Sequence, residues 1–400
     1  MKKTKRAEKP AGRAAFVTAA FPPAEYETRI ANARKAMQAS GADVLLVRNT
    51  PNVAYLTGYE MTVGNEYVTL ILPLDKPATL HVQADHTALV PRHAWLGEVI
   101  GTASPTQRGY YDQLAGLLRK PYGNARIGVE MGRYPATAEG HGVLADKLSS
   151  ARFVDCTSLV FDLRVVKSPA ELAFMRKAAS FTDIGIAAAM QALRVGNTDN
   201  DVGGAAYTAM LRAGSEAPYP APFIHVGERT GWGPHLTWKR NPIQPGDTIN
   251  LELSGFYNRY VGPIYRTASM GKPTDYVRRV SDACIDTLTT MFSFARPGMT
   301  AHEIATRAQK QLDPVRSEIY TGGSCGYSIG ITISPNWVEH SFRMAAGNHR
   351  PVLAGMCFHS PIAVRWPGRI GIAVSEAWTM TENGAEVFTK FPRELLVCGT

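Results

Sequence analysis

Apolar and polar positions recur with two different periods along this chain. "PPAEYETRIANARKAMQASG" (22–41) puts Tyr26, Ile30, Ala33 and Met37 on one face, which predicts an amphipathic helix with Gly41 at its C-cap. The runs "ADVLLV", "YVTLIL", "ATLHVQ" and "RIGVEMG" are short, apolar and bounded by turn residues, and they predict buried strands. Together they describe an α/β domain over 21–164. A second helix start follows in "KSPAEL": Ser168 as N-cap, Pro169 at the first helical position and Glu171 closing a capping box. The domain boundary is placed just before it, at residue 165, with a second domain over 165–400.

The second domain repeats itself. "VGNTDNDV" (195–202) resembles "PGMTAHEI" (297–304): a glycine, a threonine cap and an acidic residue three positions later. "PIQPGDTINLE" (242–252) resembles "PVLAGMCFHSP" (351–361). Two similar α/β halves related by a pseudo-twofold axis are expected, with a pocket where their sheets meet. "LELSGFYNRYVGPIYRT" (251–267) reads as two strands joined by a turn, with Glu252 on the first and Pro263 before the second.

Composition narrows the class. Four hundred residues exceed one ordinary core, and hydrophobic and charged contents of 45% and 19% are globular values. No apolar run approaches the ~18 residues of a membrane span. The net charge of +9 points first to nucleic acid. More than half of that excess sits on Lys2, Lys3, Lys5, Arg6, Lys9 and Arg13, inside a tail (1–20) expected to be disordered. The body is only mildly basic, and no basic helix interleaved with aromatics is present, so neither nucleic acid nor membrane is an expected partner. The five cysteines have no zinc or CxxC spacing and suit reduced thiols in a cytoplasmic protein.

Four stretches carry candidate chemistry: "GWGPHLTW" (231–238) with His235, the hairpin with Glu252, Tyr260 and Tyr265, "GGSCGYSIGI" (322–331) with Tyr327, and "GIAVSEAWTMTENG" (371–384) with Glu376. A carboxylate within an apolar strand is costly unless paired, which marks Glu252 and Glu376. Taken in this order, and with "NTPNVAYLTGY" (49–59), "KSPAEL" and "RPGMTAHEI", these stretches resemble the creatinase/aminopeptidase P/prolidase superfamily. The resemblance implies a creatinase-like N-terminal domain followed by a pita-bread catalytic domain, an α/β (α+β) protein.

Metal-dependent members of that superfamily hold two divalent cations with two aspartates on the hairpin, a histidine in a "GHG" strand and two glutamates. Here Glu252 stands at the first aspartate, Pro263 at the second, Tyr327 at the histidine and Ser360 at the first glutamate. Glu376 falls near the last glutamate, within one residue of register. The expectation is no catalytic metal and no cofactor. His235 stands where the superfamily keeps a histidine near the substrate. "GERTGWGPHLTW", "GYSIGITISPNW" and "GMCFH" resemble the metal-free ectoine hydrolase group, with creatinase a further metal-free relative.

The resemblance implies a hydrolase of a non-peptide C–N bond in a small amidine or guanidino compound. A substrate already cationic at carbon has less need of a Lewis acid. His235 would exchange protons with water and the leaving nitrogen, and Glu252 and Glu376 would hold the cationic nitrogens. Tyr260, Tyr265, Tyr327, Arg343 and His359 are the expected substrate-binding residues, with Arg365 as an alternative to Arg343 for a substrate carboxylate. A homodimer is implied, with the loop of Tyr59, Glu60, Asn65 and Glu66 reaching a partner chain's pocket. A metallopeptidase of the aminopeptidase P or prolidase kind, a lyase on the same fold, and a non-catalytic binding module stay open.

Overall fold

The structure is a computed structural model that describes residues 19–60, 67–90, 97–104, 106–131 and 138–399. The basic tail through residue 18, and Asn65 and Glu66, lie outside the described residues. The chain divides into two compact units, Met1–Arg164 and Val165–Thr400.

In the first unit the helix Pro23–Ser40 buries Tyr26, Ile30, Ala33 and Met37, and Gly41 ends it in the left-handed conformation at φ 74°. A mixed six-stranded sheet runs in the order Glu98–Thr102, Thr79–Gln83, Val68–Pro73, Val44–Val47, Arg126–Val129, Arg152–Asp155. Its central strands are buried along their length, which is why they read as continuous apolar runs. Tyr59 is buried within this unit, and its hydroxyl meets His86 Nδ1 at 3.0 Å.

The second unit is built twice. Helices Pro169–Ala192 and Asp199–Arg212 cover a sheet in the order Leu396–Cys398, Ile264–Met270, Thr248–Leu253, Phe223–Val226. Helices Asp275–Phe294 and Ala301–Ala308 cover a second one: Arg343–Ala345, Ser324–Ser328, Cys357–His359, Ala377–Thr381, Gly384–Val387. Thr198 and Thr300 both form complete capping boxes, with Asp201 and Glu303. Each also bridges a later proline in the antiparallel sense, Thr198 to Pro242 and Thr300 to Pro351. Gly196 N donates to Ile243 O, and Gly298 N to Val352 O. The repeat seen in the sequence is thus a repeat of hydrogen bonds.

Strand alternation separates core from site. Ile249, Leu251 and Leu253 face the helices and pack with Ile186, Val202, Ala206 and Met210. Burial of each such aliphatic side chain is worth about 1.5–3 kcal/mol. The intervening Thr248, Asn250 and Glu252 therefore lie on the opposite face. The hairpin tip is a two-residue turn with Asn258 at φ 47° and Arg259 at φ 64°, a pair that suits a type I′ turn. The Glu216 carboxylate holds it by accepting from both backbone N–H groups, at 2.6 and 3.0 Å. Pro263 falls between the strands Tyr260–Val261 and Ile264–Met270, so its missing N–H costs no ladder bond.

Candidate active site

Glu252 stands opposite Phe223 on one neighbouring strand and opposite Tyr265 on the other, so the three side chains share one face. Tyr265 in turn bridges Ser375, whose N–H donates to Tyr265 O at 3.0 Å. The row Phe223–Glu252–Tyr265–Ser375 thus runs from the first sheet to the segment that feeds the second. In the second sheet Arg343, Tyr327 and His359 are also directly opposed on adjacent strands. The Tyr327 hydroxyl meets His359 Nδ1 at 2.7 Å, and His359 Nε2 meets Ser375 Oγ at 2.6 Å. Gly326 permits this close approach. At φ 145°, a Cβ there would lie 2.5 Å from Ser360 Oγ and 2.8 Å from His359 O.

The polar heads on this face are poorly satisfied. Glu252 is 5% exposed and accepts no hydrogen bond from the described residues. Burial pushes its carboxyl up to about 8, against a smaller opposing pull from the Arg365 guanidinium. The Tyr265 hydroxyl and Arg365 Nε are buried without a partner. Burial, and then the Glu252 charge, raise both the Tyr265 and the Tyr327 hydroxyls, so both remain neutral donors. A buried polar group without a partner costs about 1–3 kcal/mol. Several of them around one point mark a site arranged for a polar guest rather than for stability.

His235 lies at the edge of this face, its ring centroid 5.3 Å from that of Phe223. Phe223 also meets Trp337 at 5.9 Å. Partial burial and the Arg365 charge lower the His235 pKa, which keeps the imidazole neutral and able to take a proton. His225, which the sequence patterns did not single out, secures the neighbouring backbone: its Nε2 accepts from Leu236 N at 3.1 Å. Burial drives this histidine down to about 4.

Two expected residues are not brought to this face. Glu376 is the next residue after Ser375 and points the other way. Its carboxylate takes hydrogen bonds from Arg266 at 2.8 Å, from Arg393 at 2.9 Å and from the Thr389 hydroxyl. Ser375, one residue earlier, bridges Tyr265 and takes the place beside it, because strand alternation allows only one of two neighbours to face the site. Tyr260 is buried, and its hydroxyl donates to Glu171 at 2.8 Å. His359 is placed among the expected residues but is fully buried with both ring nitrogens engaged, so it meets any ligand only through Tyr327 and Ser375. Arg343 is exposed beside Tyr327.

The superfamily's metal does not fit these residues. The positions of its ligands hold Glu252, Pro263, Tyr327, Ser360 and Ser375. Pro263 has no donor atom, and the Ser360 hydroxyl accepts from Trp378 Nε1 at 2.8 Å. Tyr327 and Ser375 are bound to His359. One carboxylate remains where a dinuclear site needs several hard ligands. Among the described residues, no group of three His, Cys, Asp or Glu side chains is placed to hold a metal ion.

Comparison with known proteins agrees with this architecture. The pattern of metallopeptidase family M24 matches residues 173–382, and that of the creatinase/prolidase N-terminal domain matches 29–166. An uncharacterized hydrolase/peptidase of Sinorhizobium fredii is 30% identical, covering 94% of this chain and 97% of its own length. The ectoine hydrolase of Halomonas elongata is 27% identical over 95% and 99%. An Xaa-Pro dipeptidase of Lactobacillus helveticus is 23% identical over 90% and 96%. Among solved structures, the dipeptidase PepE of Mycobacterium ulcerans superposes with a TM-score of 0.81 at 25% identity, covering 95% of this chain and all of that one. The fold is the pita-bread fold preceded by a creatinase-like domain, the architecture of a hydrolase class that includes ectoine hydrolase and prolidases. The chain belongs to metallopeptidase family M24. Among the described residues, no helix is long and apolar enough to cross a membrane.

Proposed function

We propose that the chain is a metal-independent hydrolase that cleaves a non-peptide C–N bond in a small amidine, guanidino or cyclic amidine compound. The observation that carries this reading is Glu252: a buried carboxyl with no hydrogen-bond partner among the described residues, standing where the family's metal ligands would be, opposite Tyr265 and opposite the Phe223 on which His235 packs. A cationic amidinium supplies the partner that Glu252 lacks, through charge-assisted hydrogen bonds. The same cation is electrophilic at carbon, so water can attack without a Lewis acid. His235 takes a proton from that water as its oxygen bonds to the carbon, and the C–N bond breaks as the nitrogen receives a proton. The likeness to the Halomonas elongata ectoine hydrolase over nearly the full length supports this class.

Elemental analysis of the purified chain, with turnover of a panel of amidines and guanidino compounds that includes ectoine and creatine, tests the proposal. Expected are substoichiometric transition metal, activity unchanged by chelation and turnover of a panel member. Two tightly bound metals per chain required for activity, with cleavage of Xaa-Pro dipeptides, would replace it with the peptidase reading.

A further inference from the structure

Trp337, Tyr327, His359 and Ser375 form one hydrogen-bonded row. Trp337 Nε1 lies 2.9 Å from the Tyr327 oxygen, and an indole N–H can only donate. The Tyr327 proton is therefore free to point elsewhere. His359 bridges the two hydroxyls, and as a neutral imidazole it offers one donor and one acceptor. Two arrangements satisfy the row. In one, Tyr327 donates to Nδ1, Nε2–H donates to Ser375, and the Ser375 proton points out of the row. In the other, Ser375 donates to Nε2, Nδ1–H donates to Tyr327, and the Tyr327 proton points out. They carry the same charge and differ by one-place shifts of two protons within the row, with one proton lost at one end and one gained at the other. Both ends adjoin the row that holds Glu252: Ser375 by its backbone bridge to Tyr265, and Tyr327 through Trp337, which packs on the Phe223 that stands opposite Glu252.

We propose that His359 is a positioning residue that couples Tyr327 and Ser375 into a neutral proton relay serving the Glu252 site. The proposal rests on the metal-independent reading, because the two hydroxyls occupy metal-ligand positions. Tyr327 gives its proton to the leaving nitrogen, Nδ1–H passes to the Tyr327 oxygen, and the Ser375 proton passes to Nε2. Ser375 then takes a proton from solvent, to which His235 releases the one it took from the attacking water, so the protons balance. His359 is left as the Nε2–H tautomer and returns to the Nδ1–H tautomer when a solvent proton enters at Tyr327 and one leaves at Ser375. His235 removes the proton of the attacking water, and the relay delivers the other. Burial keeps His359 neutral throughout, its pKa lying near about 3.

The relay is read by nitrogen NMR of the full chain with labelled histidine, the His359 signals being assigned by their loss in His359→Gln. In the unsubstituted protein both ring nitrogens are expected between their protonated and bare limits. Tyr327→Phe should fix the Nε2–H form, and Ser375→Ala the Nδ1–H form. A charged ring, a single fixed tautomer, or signals unmoved by either substitution would overturn the relay. With a substrate from the panel, His359→Gln keeps one donor and one acceptor but cannot exchange them. It should lower kcat about 100-fold, within the range of a lost acid–base step, while KM stays within a few-fold. Turnover by folded His359→Gln within threefold of the unsubstituted protein would also overturn it. Where no panel compound is turned over, the NMR result decides alone. Metal content bears only on the hydrolase reading, so the two proposals fail separately.

Discussion

Glu252 and Tyr265 stand directly opposite each other on adjacent strands, both buried, and neither polar head has a hydrogen-bond partner among the described residues. The pair makes stability depend on pH. The Glu252 carboxyl titrates at about 8 in the fold against 4.5 when free, so the folded state holds its proton longer than the unfolded chain. Stability from this group is therefore complete below the free value and is lost as pH rises through the folded one. Denaturant melts of the ligand-free protein should show falling stability between about pH 5 and pH 8, by at most a few kcal/mol. Glu252→Gln should flatten that slope, and an unchanged slope would mean that another group is responsible.

Binding of a cation should expel the same proton. At pH 7 the empty site holds Glu252 largely protonated, and an amidinium favours the carboxylate. Calorimetric titration of acetamidine or a panel substrate in buffers of different ionisation enthalpy should register release of up to one proton. The release should vanish in Glu252→Gln.

His235→Ala should fold normally, since the ring sits at the edge of the site without a hydrogen bond to the described residues, yet lose about 10²- to 10⁴-fold in kcat. Activity within a few-fold of the unsubstituted protein would remove His235 from the role of base.

Glu376 should behave as a structural residue. Its removal leaves the fully buried Arg266 without its counter-charge, a loss of about 3–5 kcal/mol for a broken buried pair. Glu376→Ala should shift the urea midpoint strongly while the folded fraction keeps its kcat. Tyr260→Phe should also act on stability alone, by about 1.5–3 kcal/mol for a hydrogen bond to a charged group, with KM unchanged.

The sequence made the frame easier to read than the site. Capping boxes and glycine turns are local, so Ser168, Thr198 and Thr300 announce their helices within four residues. The placement of Glu252, Tyr265, Tyr327 and His235 followed from matching short motifs in order. What failed was orientation. Residue type pointed to the Glu376 carboxylate over its neighbour Ser375, and only the strand's register, fixed by the Tyr265–Ser375 bridge, decides which one faces the site. Tyr260 and Tyr265 also share a hairpin, but their odd spacing puts one toward Glu171 and the other beside Glu252. His225 lay hidden in the apolar run "FIHV" and is tied to the His235 segment by a backbone contact eleven residues away.

The duplicated straps, Thr198 to Pro242 and Thr300 to Pro351, give the molecule an internal control. Thr198→Ala and Thr300→Ala remove the same cap from the same bridge in two surroundings within one chain. Once the change of box partner from Asp201 to Glu303 is matched by substitution, whatever difference separates their effects on folding belongs to the setting of each half, a comparison that otherwise requires two proteins.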